Sequence, residues 1–444
     1  MKVYRFFRQN WILVLCAALP FERIPSYNLA IGAHLVTLRI SYLVAVAALG
    51  LFGWGAAKWL QLNWRSPQFW ILVYLFVTIL STFGALSRSR SLLALIATFT
   101  VLGTALLIGQ FTDKKQLSAT YRTIAIITLI VCLFGIYQFL GDGFGLSTTW
   151  TGLRNIYTKA VFGFPRIQST ELEPLFLGNF LLIPLLLTGN QLMAGMLKDR
   201  KYLYLIGFIA MVLTLTLSRG SFAGAVVAFI VAGILLYRRL SLKATILTIL
   251  SVASGILAAF GLIAGITRVN QPQTSTTQAV ATFTKQSTTV SSSQPGAADG
   301  DRVINRRLAI QAFKERPLLG YGIGNFGLYA EHAYPEMYAG TNGKVTVNNE
   351  YYEILAETGI LGALALLGFA LSLAMAVFKS LRRNINLEQR TWIIALTAIA
   401  TGFAVQYYAF STLYIMHIWV VLGLLMGISG HVTSKSSSTS TKAN

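Results

Sequence analysis

Residues 201–237 read KYLYLIGFIAMVLTLTLSRGSFAGAVVAFIVAGILLY. Two apolar runs, 201–217 and 221–237, are separated only by Ser218, Arg219 and Gly220. Runs of this kind, about 17 to 25 residues long, cross a bilayer as helices. An arginine confined to such a turn lies at or just inside the membrane boundary. A guanidinium there needs an anion, and its planar fork suits phosphate oxygens.

The same pattern repeats along the chain. Apolar segments interrupted by charges, Pro or Gly fall near 11–30 (irregular at Pro20), 38–59, 68–86, 91–111, 121–141, 172–192, 201–217, 221–237, 243–266, 350–378, 391–409 and 411–430. The expected fold is an all-α, polytopic integral membrane protein of about twelve transmembrane helices, with a large external loop before the tenth. Composition agrees: of 444 residues 55% are hydrophobic and 11% charged, about half the charged share of a soluble domain. The start, Lys2, Arg5 and Arg8 followed by WILVLCAALP, is shaped like a signal peptide, but a retained first span is the expectation. Cys16 and Cys132 lie in apolar runs and read as packing residues. The formal net charge of +21 comes without a Lys/Arg-rich run or a soluble basic domain. This points away from nucleic acid and toward lipid head groups or a phosphate-bearing substrate.

Lys/Arg clusters set the orientation. Lys2/Arg5/Arg8, Lys58/Arg65, Lys114/Lys115, Lys198/Arg200/Lys201, Arg238/Arg239/Lys243 and Lys379/Arg382/Arg383 fall on one side, the cytoplasm, with both termini there. The organisation is then helices 1–9 over 1–266, an external loop over 267–349, helices 10–12 over 350–430 and a disordered cytoplasmic tail over 431–444. The loop begins with a Ser/Thr/Gln-rich strap without apolar periodicity. The outward side carries Arg88, Arg90, Arg166, Arg219, Arg302, Arg306 and Arg307. Arginines against the positive-inside bias cost insertion energy, so they either bind a substrate anion or snorkel to outer-leaflet phosphates.

The second part of the loop, 302–362, gathers the polar chemistry. Ile304, Leu308 and Ala312 form one helical stripe, and Arg302 and Arg306 another. Pro317 ends that helix, and Gly320, Gly322 and Gly324 give a tight backbone path that only superficially resembles a dinucleotide fingerprint. A polar, hairpin-like stretch surrounds Gly340 and Gly343. Asn348 and Asn349 suit the cap of the tenth span, and Glu350, Glu353 and Glu357 share one face, as helix-dipole partners or as catalytic groups. His332 is the loop's one histidine, a candidate proton acceptor or a plain surface residue. His34, His417 and His431 are too scattered for a metal site.

Ser218-Arg219-Gly220, Arg302 fifteen residues before Pro317-Leu-Leu-Gly-Tyr-Gly, and Asn349-Glu-Tyr-Tyr-Glu-Ile-Leu-Ala-Glu-Thr-Gly-Ile-Leu-Gly occur here in a fixed order. Together with the twelve spans they resemble the O-antigen ligase/polymerase superfamily of bacterial envelope glycosyltransferases. The resemblance implies transfer of a glycan from an undecaprenyl-pyrophosphate carrier at the outer face of the bacterial inner membrane. The acceptor would be a lipid A core sugar or another carrier-linked glycan. It assigns the pyrophosphate to Arg219 and Arg302, with no cofactor and no metal. Arg166, followed by Glu173-Pro174, lies where related polymerases carry a similar Arg and Glu-Pro pair. Members that are ligases usually carry His-Asn where this chain has Asn348-Asn349. Asparagine orients a hydroxyl but does not take its proton, so His332 or Glu350 takes that role, no strong base is needed, or the chain is not a ligase. Polymerase is therefore preferred over ligase. The competing readings are a transporter of a small anion such as bicarbonate and a catalytically silent scaffold for envelope assembly. The expected site is Arg219, Arg302, His332 and Asn348, with Arg88, Arg90, Arg166, Glu173, Arg306, Asn349 and Glu350 around the substrate.

Overall fold

A computed structural model describes residues 2–31, 34–58, 60, 62–113, 116–270, 298–411 and 413–440. Most of the strap, the Lys114/Lys115 pair and the last four residues lie outside the described residues. The protein is a multi-pass membrane protein built from helices. Among the described residues seven helices are long and apolar enough to cross a membrane: Ile40–Ala57, Arg88–Phe111, Leu117–Gly143, Pro174–Met193, Arg219–Arg239, Leu242–Asn270 and Glu350–Leu381. Gln9–Ala18, Pro67–Phe83 and Met416–Gly430 are apolar but shorter. Every one of the twelve expected segments carries a helix.

The chain divides into two compact units. The first comprises Met1–Val44, Asp113–Thr289 and Asn386–Phe403. It holds α1 (Lys2–Ala18), and most of the described residues that follow 116: α5 (Leu117–Gly143), the short α6 (Thr148–Thr151) and α7 (Lys159–Phe162), α8 (Pro174–Met193), α9 (Arg200–Leu215), α10 (Arg219–Leu236) and α11 (Leu242–Asn270). Helix α8 is its buried centre: Asn179, Thr188 and Asn190 are fully buried, and so are Leu177, Leu181, Leu182 and Leu186. Helices α9 and α11 touch backbone to backbone, since a Cβ on Gly255 would lie 2.0 Å from the Gly207 carbonyl oxygen. Close approach at small residues is the usual means of packing helices in lipid, where burial of apolar surface supplies no drive.

One departure from the expected fold lies here. The segment 11–30 is not one span: α1 stops at Ala18, and an antiparallel hairpin follows, β1 (Ser26–Ile31) against β2 (His34–Arg39), pairing Ser26 with Arg39 and Ile31 with His34. Pro20 and Pro25 cannot supply helical amide donors, and the apolar residues beyond them pair as strands instead.

The second unit comprises Ala45–Thr112, Val290–Ile385 and Ala404–Asn444. It holds most of α2 (Ile40–Ala57), α3 (Pro67–Phe83), α4 (Arg88–Phe111), α12 (Ala298–Glu315), α13 (Phe326–Ala333), α14 (Pro335–Tyr338), α15 (Glu350–Leu381) and α17 (Met416–Ser440), while α16 (Leu387–Gln406) runs from the first unit into the second. The described part of the connection between α11 and α15 has its own core. Leu308 and Ala312 of α12, Phe326, Tyr329 and Ala330 of α13, Tyr338, Val347 and Ala356 are buried together, with Ile304 packed against them. The expected stripe Ile304/Leu308/Ala312 is thus the face on which the loop folds. No strand pairing forms around Gly340 and Gly343; the Glu331 carboxylate accepts from both of those amides, at 3.1 and 2.9 Å.

Candidate functional site

In the first unit the turn between α9 and α10 places Arg219 as the first residue of α10, after Ser218 as N-cap. Leu217 adopts φ +53, a left-handed conformation that tightens the turn. The Ser218 amide donates to Thr216 Oγ1 at 3.2 Å, and Ser218 Oγ and Ser221 Oγ lie 2.7 Å apart. Gly178 of α8 makes room for them, because a Cβ there would stand 2.3 Å from Ser221 Oγ. Arg166 joins the same turn: its Nε donates to the Thr216 carbonyl at 2.8 Å, and its amide to the Tyr157 carbonyl at 2.8 Å. Tyr157 is flanked by two guanidinium groups, those of Arg154 and Arg166, each 5.7 Å from its ring centroid. Burial, with the Glu173 charge beside it, pushes the Tyr157 phenol up to about 12. Glu173 lies 3.5 Å from Arg154, with the two side chains 42% and 43% exposed, a geometry that contributes little to stability. Arg154 was not among the expected residues. Its one signal in the sequence is its place in Leu153-Arg154-Asn155-Ile156-Tyr157, close to an aromatic ring.

In the second unit two sequence motifs pair with each other. Helix α15 breaks at Gly359, whose φ 66 and ψ −164 lie in a region open to glycine alone. Across the break the stretch 317–322 runs alongside, joined to it backbone to backbone. Tyr321 and Gly322 donate to the carbonyls of Ala356 and Glu357, both at 2.9 Å, and the Ile360 amide donates to Pro317 at 2.8 Å. A Cβ on Gly359 would meet the Leu318 carbonyl oxygen at 2.3 Å, and one on Gly320 would meet the Glu357 backbone at 2.4 Å. The glycines of Pro317–Gly324 and of Glu357-Thr358-Gly359 are therefore one feature.

Glu357 closes this arrangement. Its two oxygens accept from the amides of Gly324 at 2.8 Å and Phe326 at 3.0 Å, while Glu353 accepts from Val347 at 2.9 Å. The Glu350 amide donates to the carbonyls of Tyr407 and Phe410, at 2.9 and 3.1 Å. Glu350, Glu353 and Glu357 line one narrow cleft with Tyr74, Thr358 and Tyr414. Its volume of about 10 Å³ is room for a single water. Among the described residues no group of three or more His, Cys, Asp or Glu side chains is arranged to hold a metal ion.

Residues 204–367, a little over a third of the chain, match the family model described as O-antigen ligase. That match supports the resemblance to the O-antigen ligase/polymerase superfamily over this segment. No curated protein matches it. The matched segment starts within α9 and ends within α15, so it takes in the Arg219 turn, the connection between α11 and α15 and the Gly359 break.

Inside that segment the expected residues have different surroundings. Arg302 and Arg306 are half-buried on α12. Arg306 donates to the Tyr408 carbonyl at 3.1 Å and lies 4.7 Å from the Tyr408 ring centroid. His332 is exposed at the end of α13, with Nδ1 2.8 Å from the Leu328 carbonyl. A carbonyl oxygen only accepts, so Nδ1 carries the hydrogen and the neutral ring keeps its acceptor at Nε2. Asn348 has φ +54. Asn349 is fully buried and occupied structurally: it caps α15 by accepting from the Tyr352 amide at 3.2 Å and donates to the Tyr408 carbonyl at 2.9 Å. Outside the segment, Arg88 is exposed at the start of α4. Arg90 is bound to the loop backbone through the carbonyls of Asn342 and Gly343.

Proposed function

We propose that this protein is a glycosyltransferase that moves or polymerises a glycan carried on undecaprenyl pyrophosphate, at the outer face of the bacterial inner membrane. The observation that carries this reading is the O-antigen ligase segment, 204–367, which contains both Arg219 and Arg302. In the reaction an acceptor hydroxyl oxygen bonds to the anomeric carbon of the donor sugar. The bond from that carbon to the carrier phosphate breaks, and the bonding pair leaves with the pyrophosphate. What the protein has to supply is cationic stabilisation of that leaving group, in place before the reaction begins.

Arg219 suits this task because the first-turn amides of α10 point the same way as an anion site requires. Arg166 holds the turn in place from the side through Thr216. Arg302 and Arg306, four apart on α12, are the cations we assign to the same class of ligand from the external loop. The acceptor proton goes to His332 Nε2 or to Glu350, with Asn348 orienting the hydroxyl. Arg90 and Asn349 are held by backbone partners and serve the architecture of the loop.

The test is the purified protein mixed with a pyrophosphate-linked glycan and with candidate acceptors, either lipid A core or a second carrier-linked glycan. Product and released carrier are scored. Arg219→Ala and Arg302→Ala are expected to abolish both while the protein still inserts, and chelator is expected to leave the rate unchanged. Full turnover in both variants would refute the assignment. Product with the carrier-linked acceptor alone identifies a polymerase.

A further inference from the structure

Glu22 lies in the turn after α1, and Glu171 lies in the segment 166–173 that leads into α8. Both are fully buried. Glu22 Oε2 accepts from Arg39 Nη1 at 2.8 Å. Among the described residues no donor reaches Glu22 Oε1 or either side-chain oxygen of Glu171. The titratable groups that act on one another here are Glu22, Arg39 and Tyr42 from the hairpin end of the unit and Glu171 from the other side.

Glu171 cannot turn out to water, because the residues before it are fastened on every side. Ser169 adopts φ +52, and Gln138 brackets it, accepting its amide at 2.7 Å and donating to its carbonyl at 3.2 Å. Ser169 Oγ donates to Val131 at 2.7 Å, and Thr170 Oγ1 to Pro20 at 2.6 Å. The amides of Arg23 and Ile24 both donate to the Thr170 carbonyl, at 2.9 and 3.3 Å. The cluster therefore holds two buried carboxyl groups and one guanidinium, and that guanidinium is in direct contact with Glu22. A second ionised carboxylate without donors is the costliest arrangement available, and taking up a proton removes the cost.

We propose that this cluster binds one exchangeable proton, held on Glu171 as a neutral carboxylic acid while Glu22 stays ionised against Arg39. Burial raises Glu171 well above the ordinary carboxylate range; the Glu22 charge adds to this and Arg39 offsets part of it. The proton locks the segment that carries Arg166 at one end and Glu173 at the other. A folded-state value raised above the unfolded one stabilises fully below the unfolded pKa, about 4.3, and the contribution is lost as pH rises through the folded value. The segment thus loosens toward alkaline pH.

The experiment uses the full chain in detergent. Infrared spectra near neutral pH are expected to contain a protonated carboxylic acid band that is missing in Glu171→Gln. The thermal midpoint of the wild type, relative to that variant, is expected to fall between about pH 5 and pH 9. An unchanged band, or a midpoint difference that is flat across this range, overturns the proposal. Glu22→Gln serves if Glu171→Gln does not fold. It leaves Arg39 to pair with Glu171, so the band is expected to vanish there too, and its persistence also overturns the proposal.

Discussion

Glu357 and Glu171 are both buried glutamates beside a glycine-bearing or strained stretch of backbone, yet their surroundings are opposite. Glu357 receives two backbone amides from the glycine-rich loop. Glu171 receives no donor among the described residues, and the guanidinium of the cluster is bonded to Glu22. In the first region the carboxylate satisfies amides that would otherwise be orphaned, so it is a fastening. In the second the carboxyl is itself the group in need of a partner. Burial is common to both, and the number of donors within reach separates their roles.

The sharpest way to break the first region is Gly359→Ala. It puts a side chain into a conformation that excludes one and against the Leu318 carbonyl. The expected cost is about 4 kcal/mol, read as loss of folded protein or a large drop in thermal midpoint in detergent. Next comes Arg39→Met in the second region, which leaves Glu22 without its cation at a cost of about 3 kcal/mol. This loss is expected to shrink as pH falls, because protonated carboxyls need no cation. A loss that is the same in acid would mean that Arg39 acts by packing alone. Glu357→Ala leaves the Gly324 and Phe326 amides without their acceptor and is expected to cost about 2 kcal/mol, with faster hydrogen exchange at those two positions.

The smallest effect belongs to Glu315, at the end of α12. It accepts from Gln311, Tyr321 and Tyr329 at 3.0, 2.5 and 2.9 Å. The Tyr321 hydroxyl holds its carboxyl below the usual range, with Gln311 and Tyr329 adding. A depressed value stabilises above the unfolded pKa and the contribution disappears as pH falls through the folded one, so this fastening is lost only in acid. The group is exposed, and Glu315→Gln is expected to change stability by less than about 0.5 kcal/mol. A midpoint that drops sharply above neutral pH in that variant would contradict this sign.

Much of this was legible in the chain. The apolar runs announced the helices, the periodicity of Ile304, Leu308 and Ala312 announced α12, and Gly320, Gly322 and Gly324 announced a tight path. Local periodicity could not announce which distant segment that path lies against, and the pairing of 317–322 with 356–360 is such a contact. The hairpin after Ala18 was missed because apolar content alone does not separate a span from a strand pair. A sequence does not reveal that Arg90 and Asn349 bond to backbone carbonyls. Arg154 was missed since a lone arginine in a polar connection carries no pattern. Glu171 carries no pattern either, since the sequence does not show that the fold buries it.

The break at Gly359 also has a bearing on length. A straight helix over all of Glu350–Leu381 would rise about 48 Å at 1.5 Å per residue, far more than the hydrocarbon thickness of about 30 Å. From 360 to 381 the rise is about 33 Å, which fits that thickness with little tilt. What Gly359 leaves over is the stretch bearing Glu350, Glu353 and Glu357, three carboxyl groups that need not enter lipid because the helix that carries them has already changed direction.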